Sequence, residues 1–167
     1  MEDQKLLEAV KGGIKAELDS IIIYQRAYDE AKDQEVKKFF ANRIEEEQRH
    51  YNYMVKYYQQ LDSGKPIAQI TAILPDTFEK ASPIITPQFI RAIAGSKILF
   101  SSLSTAALLE KNSMDFYQKC AEENEDIELK NFFLMMVNWE TQHYDDILRI
   151  QKEAEQEYWQ INRFEPF

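Results

Sequence analysis

Apolar residues recur at three- and four-residue steps through four long stretches of the chain, the pattern of amphipathic helices. The first runs from Gln4 to Ala31, with Leu6, Leu7, Val10, Ile14, Ile21, Tyr24 and Tyr28 in step. Gly12 and Gly13 weaken it without ending it. Asp33 can N-cap a second helix from Gln34 to about Leu61, which Ser63-Gly64-Lys65-Pro66 stops. A third helix is expected from Ser96 to Ala121 and a fourth from Asp126 to about Gln156. Each pair is joined within a few residues, so its members lie antiparallel and adjacent. From about 63 to 95 the pattern breaks. Pro66, Pro75, Pro83 and Pro87 fall there, and a short helix fits Pro87 to Ala94. The expectation is an all-α protein: an antiparallel four-helix bundle of two helical hairpins joined by a long crossover. Residues 1–167 form one domain, running up-down-down-up.

An internal repeat points the same way. Sliding the chain by 93 aligns Glu17 with Glu110, Tyr24 with Tyr117, Asp33 with Asp126, Glu47 with Glu140 and His50 with His143. There are 13 identities in the 35 positions from Glu17 to Tyr51, where chance supplies about two or three. Asp3 and Ser96 also align, as N-caps of the two helix starts.

Both histidines of the chain sit in Glu-x-x-His, as Glu47-Gln48-Arg49-His50 and Glu140-Thr141-Gln142-His143. Residues three apart share a helix face, so each motif points a carboxylate and an imidazole the same way. Glu17 lies 30 residues before Glu47, and Glu110 lies 30 before Glu140. Each pair is equidistant from its hairpin tip, about 20 Å along the axis. Glu17 is therefore expected to face Glu47 and His50, and Glu110 to face Glu140 and His143. Folding the hairpins together gathers four carboxylates and two imidazoles at one level. The carboxylates share the apolar stripe: Phe40, Ile44, Tyr51 and Met54 flank Glu47, and Phe133, Met136, Tyr144 and Ile147 flank Glu140.

Charge and composition narrow the chemistry. A net charge of −9 repels phosphate backbones, so no nucleic-acid partner is expected. No apolar run is long enough to span a membrane. The N-terminal residues lack a signal-peptide pattern, and a cytoplasmic protein is expected. Cys120 is the lone cysteine, which excludes a disulfide framework and Cys-x-x-Cys metal sites.

Four ionised carboxylates in an apolar interior repel one another and cost several kcal/mol each to desolvate. Two divalent cations would neutralise them. Mostly oxygen donors with one nitrogen per metal suit iron(II) or manganese(II), and zinc is possible. The bland alternatives are a solvated helix face and a buried salt-bridge core. Arg43 is a candidate cation for the latter, but its repeat counterpart is Met136, so it cannot serve both halves. Tyr24 and Tyr117 lie two turns beyond Glu17 and Glu110 on the same face. Their phenols can hydrogen-bond a ligand carboxylate or donate an electron and proton, or simply pack in the core. Ser20, Ser113, Gly13 and Ala106 are small residues that leave room or allow close helix contact. Tyr158, Trp159, Phe164 and Phe167 form an aromatic tail that caps the bundle or meets a second subunit.

Glu17, Glu47-x-x-His50, Glu110 and Glu140-x-x-His143 resemble the di-iron carboxylate motif of the ferritin-like superfamily. Within it, size, crossover and tyrosines are most similar to the rubrerythrin group. The resemblance implies two iron ions held by these six residues and reduction of hydrogen peroxide or O₂ in the cytoplasm. It also implies a homodimer or small oligomer. Two positions differ from rubrerythrins: Ser113 stands where they carry a further Glu, and His143 where they often carry Glu. The symmetric four-Glu, two-His set is closer to bacterioferritins and di-iron oxidases. With Cys120 alone, no rubredoxin-type site is expected here, and electrons would arrive from a separate donor protein. A ferroxidase or iron-storage protein, which needs a large closed assembly, is the alternative, as is a metal-binding bundle without enzymatic activity.

Overall fold

The computed structural model describes residues 2–63 and 83–163. Five helices occur among them: α1 (Glu2–Glu30), α2 (Gln34–Asp62), α3 (Pro87–Ala94), α4 (Lys97–Glu123) and α5 (Ile127–Asn162). No strand occurs among the described residues, which meets the all-α expectation. Pro66, Pro75, Phe164, Phe167 and most of the expected crossover lie outside the described residues.

Local chemistry sets the boundaries. The Asp33 carboxylate accepts from the backbone N–H groups of Glu35 and Val36, and Asp126 repeats this with Glu128 and Leu129. Ser96 and Thr86 cap α4 and α3 with hydroxyls that accept from Leu99 and Phe89. These side chains satisfy N–H groups that have no partner inside the helix. α1 begins at Glu2, so Asp3 falls within the helix rather than at the expected position before it. The last helix outruns its expected end at Gln156 and closes at Arg163, in the left-handed region with φ 54°. Its extra turns keep an apolar side, on which Tyr158 packs against the core beside Ala154.

Contacts between helices run in opposite residue order. Along α1 and α2, the Lys11 ammonium sits over the Tyr58 ring and the Lys37 ammonium over Tyr28. Along α4 and α5, Ser104 meets Gln151 and Tyr117 stacks on Phe133. Between α1 and α4, Tyr24 reaches Glu110 and Tyr117 reaches Glu17. Between α2 and α5, Arg43 meets Asp146, His50 meets Glu140 and Tyr57 stacks on Phe132. α3 is bent 98° from α4 and packs against α5, α4 and α2. Two apolar clusters result among the described residues. One gathers Phe39, Phe40, Phe89, Ile93 and Leu103; the other gathers Met54, Tyr57, Phe132, Phe133 and Met136. No single described helix is long and apolar enough to cross a membrane.

Candidate metal centre

Glu17, Glu47, His50, Glu110, Glu140 and His143 are all buried, none more than 5% exposed. Four of them, Glu47, His50, Glu140 and His143, each offer a ligand atom within 4.8 Å of the others. Glu17 joins them from α1, with Oε2 3.5 Å from His50 Nδ1. Glu110 joins from α4, where Tyr24 donates to its Oε1 at 2.5 Å.

The halves interlock more closely than the hairpin spacing implies. His50 Nδ1 lies 3.3 Å from Glu47 of its own motif but 3.0 Å from Glu140 of the other. His143 Nδ1 lies 3.7 Å from Glu140 and 2.5 Å from Glu47. The tyrosines cross over too. Tyr24 of α1 serves Glu110 of α4, and Tyr117 of α4 donates to Glu17 of α1. Tyr117 can reach that far because Gly13 has no side chain. A Cβ there would stand 3.0 Å from the Tyr117 ring and 3.1 Å from its hydroxyl.

Buried polar atoms ordinarily find partners. Here both oxygens of Glu47, both of Glu140, Glu110 Oε2, and Nδ1 of both histidines have no hydrogen-bond partner. These atoms approach one another without the geometry of hydrogen bonds, so lone pairs converge on shared space. Each α1 or α4 glutamate is half-secured: a tyrosine holds its Oε1, while Oε2 of Glu17 faces His50 and Oε2 of Glu110 lacks a partner. A divalent cation satisfies such a set, and the donors fit iron, manganese or zinc.

The titration behaviour shows the same demand for positive charge. Burial pushes the Glu17 carboxyl up to about 7 against the pull of His50. Burial, reinforced by the charges of Glu17 and Glu47, lifts Glu140 well above the usual carboxylate range. Burial and Glu47 raise Glu110 as well. Glu47 goes the other way: burial opposes its ionisation, but His143 and His50 together hold it well below that range. Burial would lower both imidazoles, yet Glu140 carries His50 well above its ordinary value, and Glu47 and Glu46 carry His143 to about 9. Protons thus occupy the place of cations.

A second layer was not legible as such. Arg43 donates to Glu46 at 2.8 Å and to Asp146 at 2.6 Å, rather than to the four clustered glutamates. Glu46 Oε2 in turn lies 3.3 Å from His143 Nε2. A proton on Nε2 shared with Glu46 leaves Nδ1 free as a ligand atom. The i,i+3 spacing of Arg43 and Glu46 was the available signal; Asp146 arrives across the bundle, which spacing does not reveal. His50 has a different neighbour: its ring stacks on Trp139 at 4.7 Å with an interplanar angle of 7°. Ser20 and Ser113 are buried.

A family model described as Rubrerythrin matches residues 8–151. No curated protein and no solved structure gives a significant match to the chain.

Proposed function

The chain belongs to the rubrerythrin family, and from that premise we propose that it is a di-iron redox protein reducing hydrogen peroxide or O₂. Glu17, Glu47, His50, Glu110, Glu140 and His143 hold two iron ions, and a separate protein supplies the electrons. The observation that carries this reading is the set of partnerless donor atoms on four of these side chains and Glu110. When bound, iron supplies reversible one-electron oxidation and a Lewis-acidic site for an oxygen species.

The protein residues do the rest. Glu47 and Glu140 each lie within 3.7 Å of both imidazoles and would supply carboxylate oxygens to the metals. Glu17 and Glu110 would add a further carboxylate each, oriented by a phenol from the opposite half. Glu46, itself held by Arg43, fixes the orientation of His143. Burial of all six residues keeps bulk water out and strengthens each electrostatic contact. The protein works in the cytoplasm as a homodimer. Leu18 and Ile22 on α1 and Leu108 on α4 leave large apolar side chains exposed, which supports a subunit contact.

Stopped-flow mixing of the reduced, iron-loaded protein with peroxide, and separately with O₂, tests the activity. Oxidation of the centre within seconds by either is expected. Failure with both overturns the redox reading. Elution at the size of a large closed shell would instead favour the ferroxidase or storage alternative.

A further inference from the structure

The two halves of the repeat differ beside the histidines. At the shift of 93, Arg43, Glu46 and Tyr53 correspond to Met136, Trp139 and Asp146. Around His143 these positions supply a charged cluster, Arg43 with Glu46 and Asp146. Around His50 they supply aromatic rings. Trp139 stacks face to face on His50 at 4.7 Å, and Tyr53 lies against Trp139 at 5.8 Å. Trp139 and Tyr53 are both half-buried, so this aromatic series runs from the site to the surface. Lys56 sits over the outer ring, 6.0 Å from the centroid of Tyr53.

We infer that the Trp139–His50 stack is the route by which electrons enter the centre, with Tyr53 at its outer end. The inference rests on the redox reading above. An indole in van der Waals contact with a ligand imidazole offers continuous electronic overlap where a saturated side chain offers little. The reductant is a one-electron carrier protein. The carrier loses one electron, which crosses Trp139 and His50 to a ferric ion; no bond at either ring forms or breaks. Two such transfers and two protons accompany the conversion of one H₂O₂ to two waters. The charged half is unsuited to this task, because Arg43, Glu46 and Asp146 put ion pairs rather than π systems between His143 and solvent.

The test follows re-reduction of the oxidised, iron-loaded protein by reduced methyl viologen, with metal content measured alongside. Trp139→Leu is expected to slow re-reduction by at least about tenfold at unchanged metal content, and Trp139→Phe to recover part of the rate. Re-reduction of the leucine variant at the wild-type rate overturns the route. A wild-type centre that binds iron but never cycles overturns the redox reading instead. A further measurement does not depend on the leucine variant folding. Trp159→Leu leaves Trp139 as the only tryptophan. Its emission is expected to be quenched severalfold more in the diferric protein than in the redox-silent zinc form. Equal emission from the two forms shows that Trp139 is not coupled to the metals and overturns the inference.

Discussion

Tyr24 of α1 donates its phenol to Glu110 of α4 at 2.5 Å, deep in the bundle and 86 residues away in sequence. Tyr117 returns the bond to Glu17 in the opposite direction. The pair ties the two halves of the repeat together at the level of the site, and each phenol commits one carboxylate oxygen while sparing the other. Tyr24→Phe and Tyr117→Phe should each leave a buried carboxylate oxygen without its donor. The expected loss is about 1–3 kcal/mol, read from urea unfolding of the metal-free protein. Metal affinity should fall by roughly 10-fold or more, measured by competition with a chelator.

Gly13→Ala should act on the same contact from the other side. The added methyl would meet the Tyr117 ring at 3.0 Å and overlap the end of Met54. Met54 is flexible and can move; the ring cannot without losing Glu17. A destabilisation of about 1–3 kcal/mol is expected, with metal affinity shifted as in Tyr117→Phe.

The metal-free protein should lose stability as pH rises. Glu17 is held at about 7 against an ordinary value of 4.5, and His143 at about 9 against 6.5. In both, the folded state binds the proton more tightly than the unfolded chain. That contribution is complete below the ordinary value and disappears as pH passes the raised one. Melting temperature should therefore fall between pH 5 and 9, in steps centred on these windows. Metal reverses the sign, because both groups must shed protons to become ligands: affinity should rise over the same range, with proton release seen by calorimetry in two buffers. Glu140→Gln removes a further raised carboxyl and should flatten the melting curve while impairing metal binding.

Much of this site was legible in the sequence, and the reason is geometric. Helical spacing fixes which residues share a face, so Glu47 with His50 and Glu140 with His143 could be placed together from numbering alone. Hairpin symmetry placed Glu17 and Glu110 at the same height. Pairing across the halves was not legible: the closest approaches are His50 to Glu140 and His143 to Glu47. They depend on how α2 meets α5, which no local pattern encodes. Trp139 escaped for the same reason. Its position before Glu140 resembles an ordinary aromatic on a helix, and only the fold lays it on His50.

Arg43→Met should expose the cost of the charged cluster. Arg43 neutralises Glu46 and Asp146 in surroundings where these side chains are only 8–11% exposed. Removing the cation alone leaves two buried carboxylates without it, at an expected cost of about 3–5 kcal/mol in denaturant unfolding. Combining it with Glu46→Gln and Asp146→Asn should recover much of that stability. The triple variant should still bind metal more weakly, because Glu46 no longer fixes His143.

Elemental analysis of protein purified without added metal, joined to anomalous scattering from its crystals, bears most directly on the centre itself. Two iron ions per chain, lying among Glu17, Glu47, His50, Glu110, Glu140 and His143, is the predicted result. Fewer than one metal ion per chain in fully folded protein, or metal bound away from these six side chains, would contradict it.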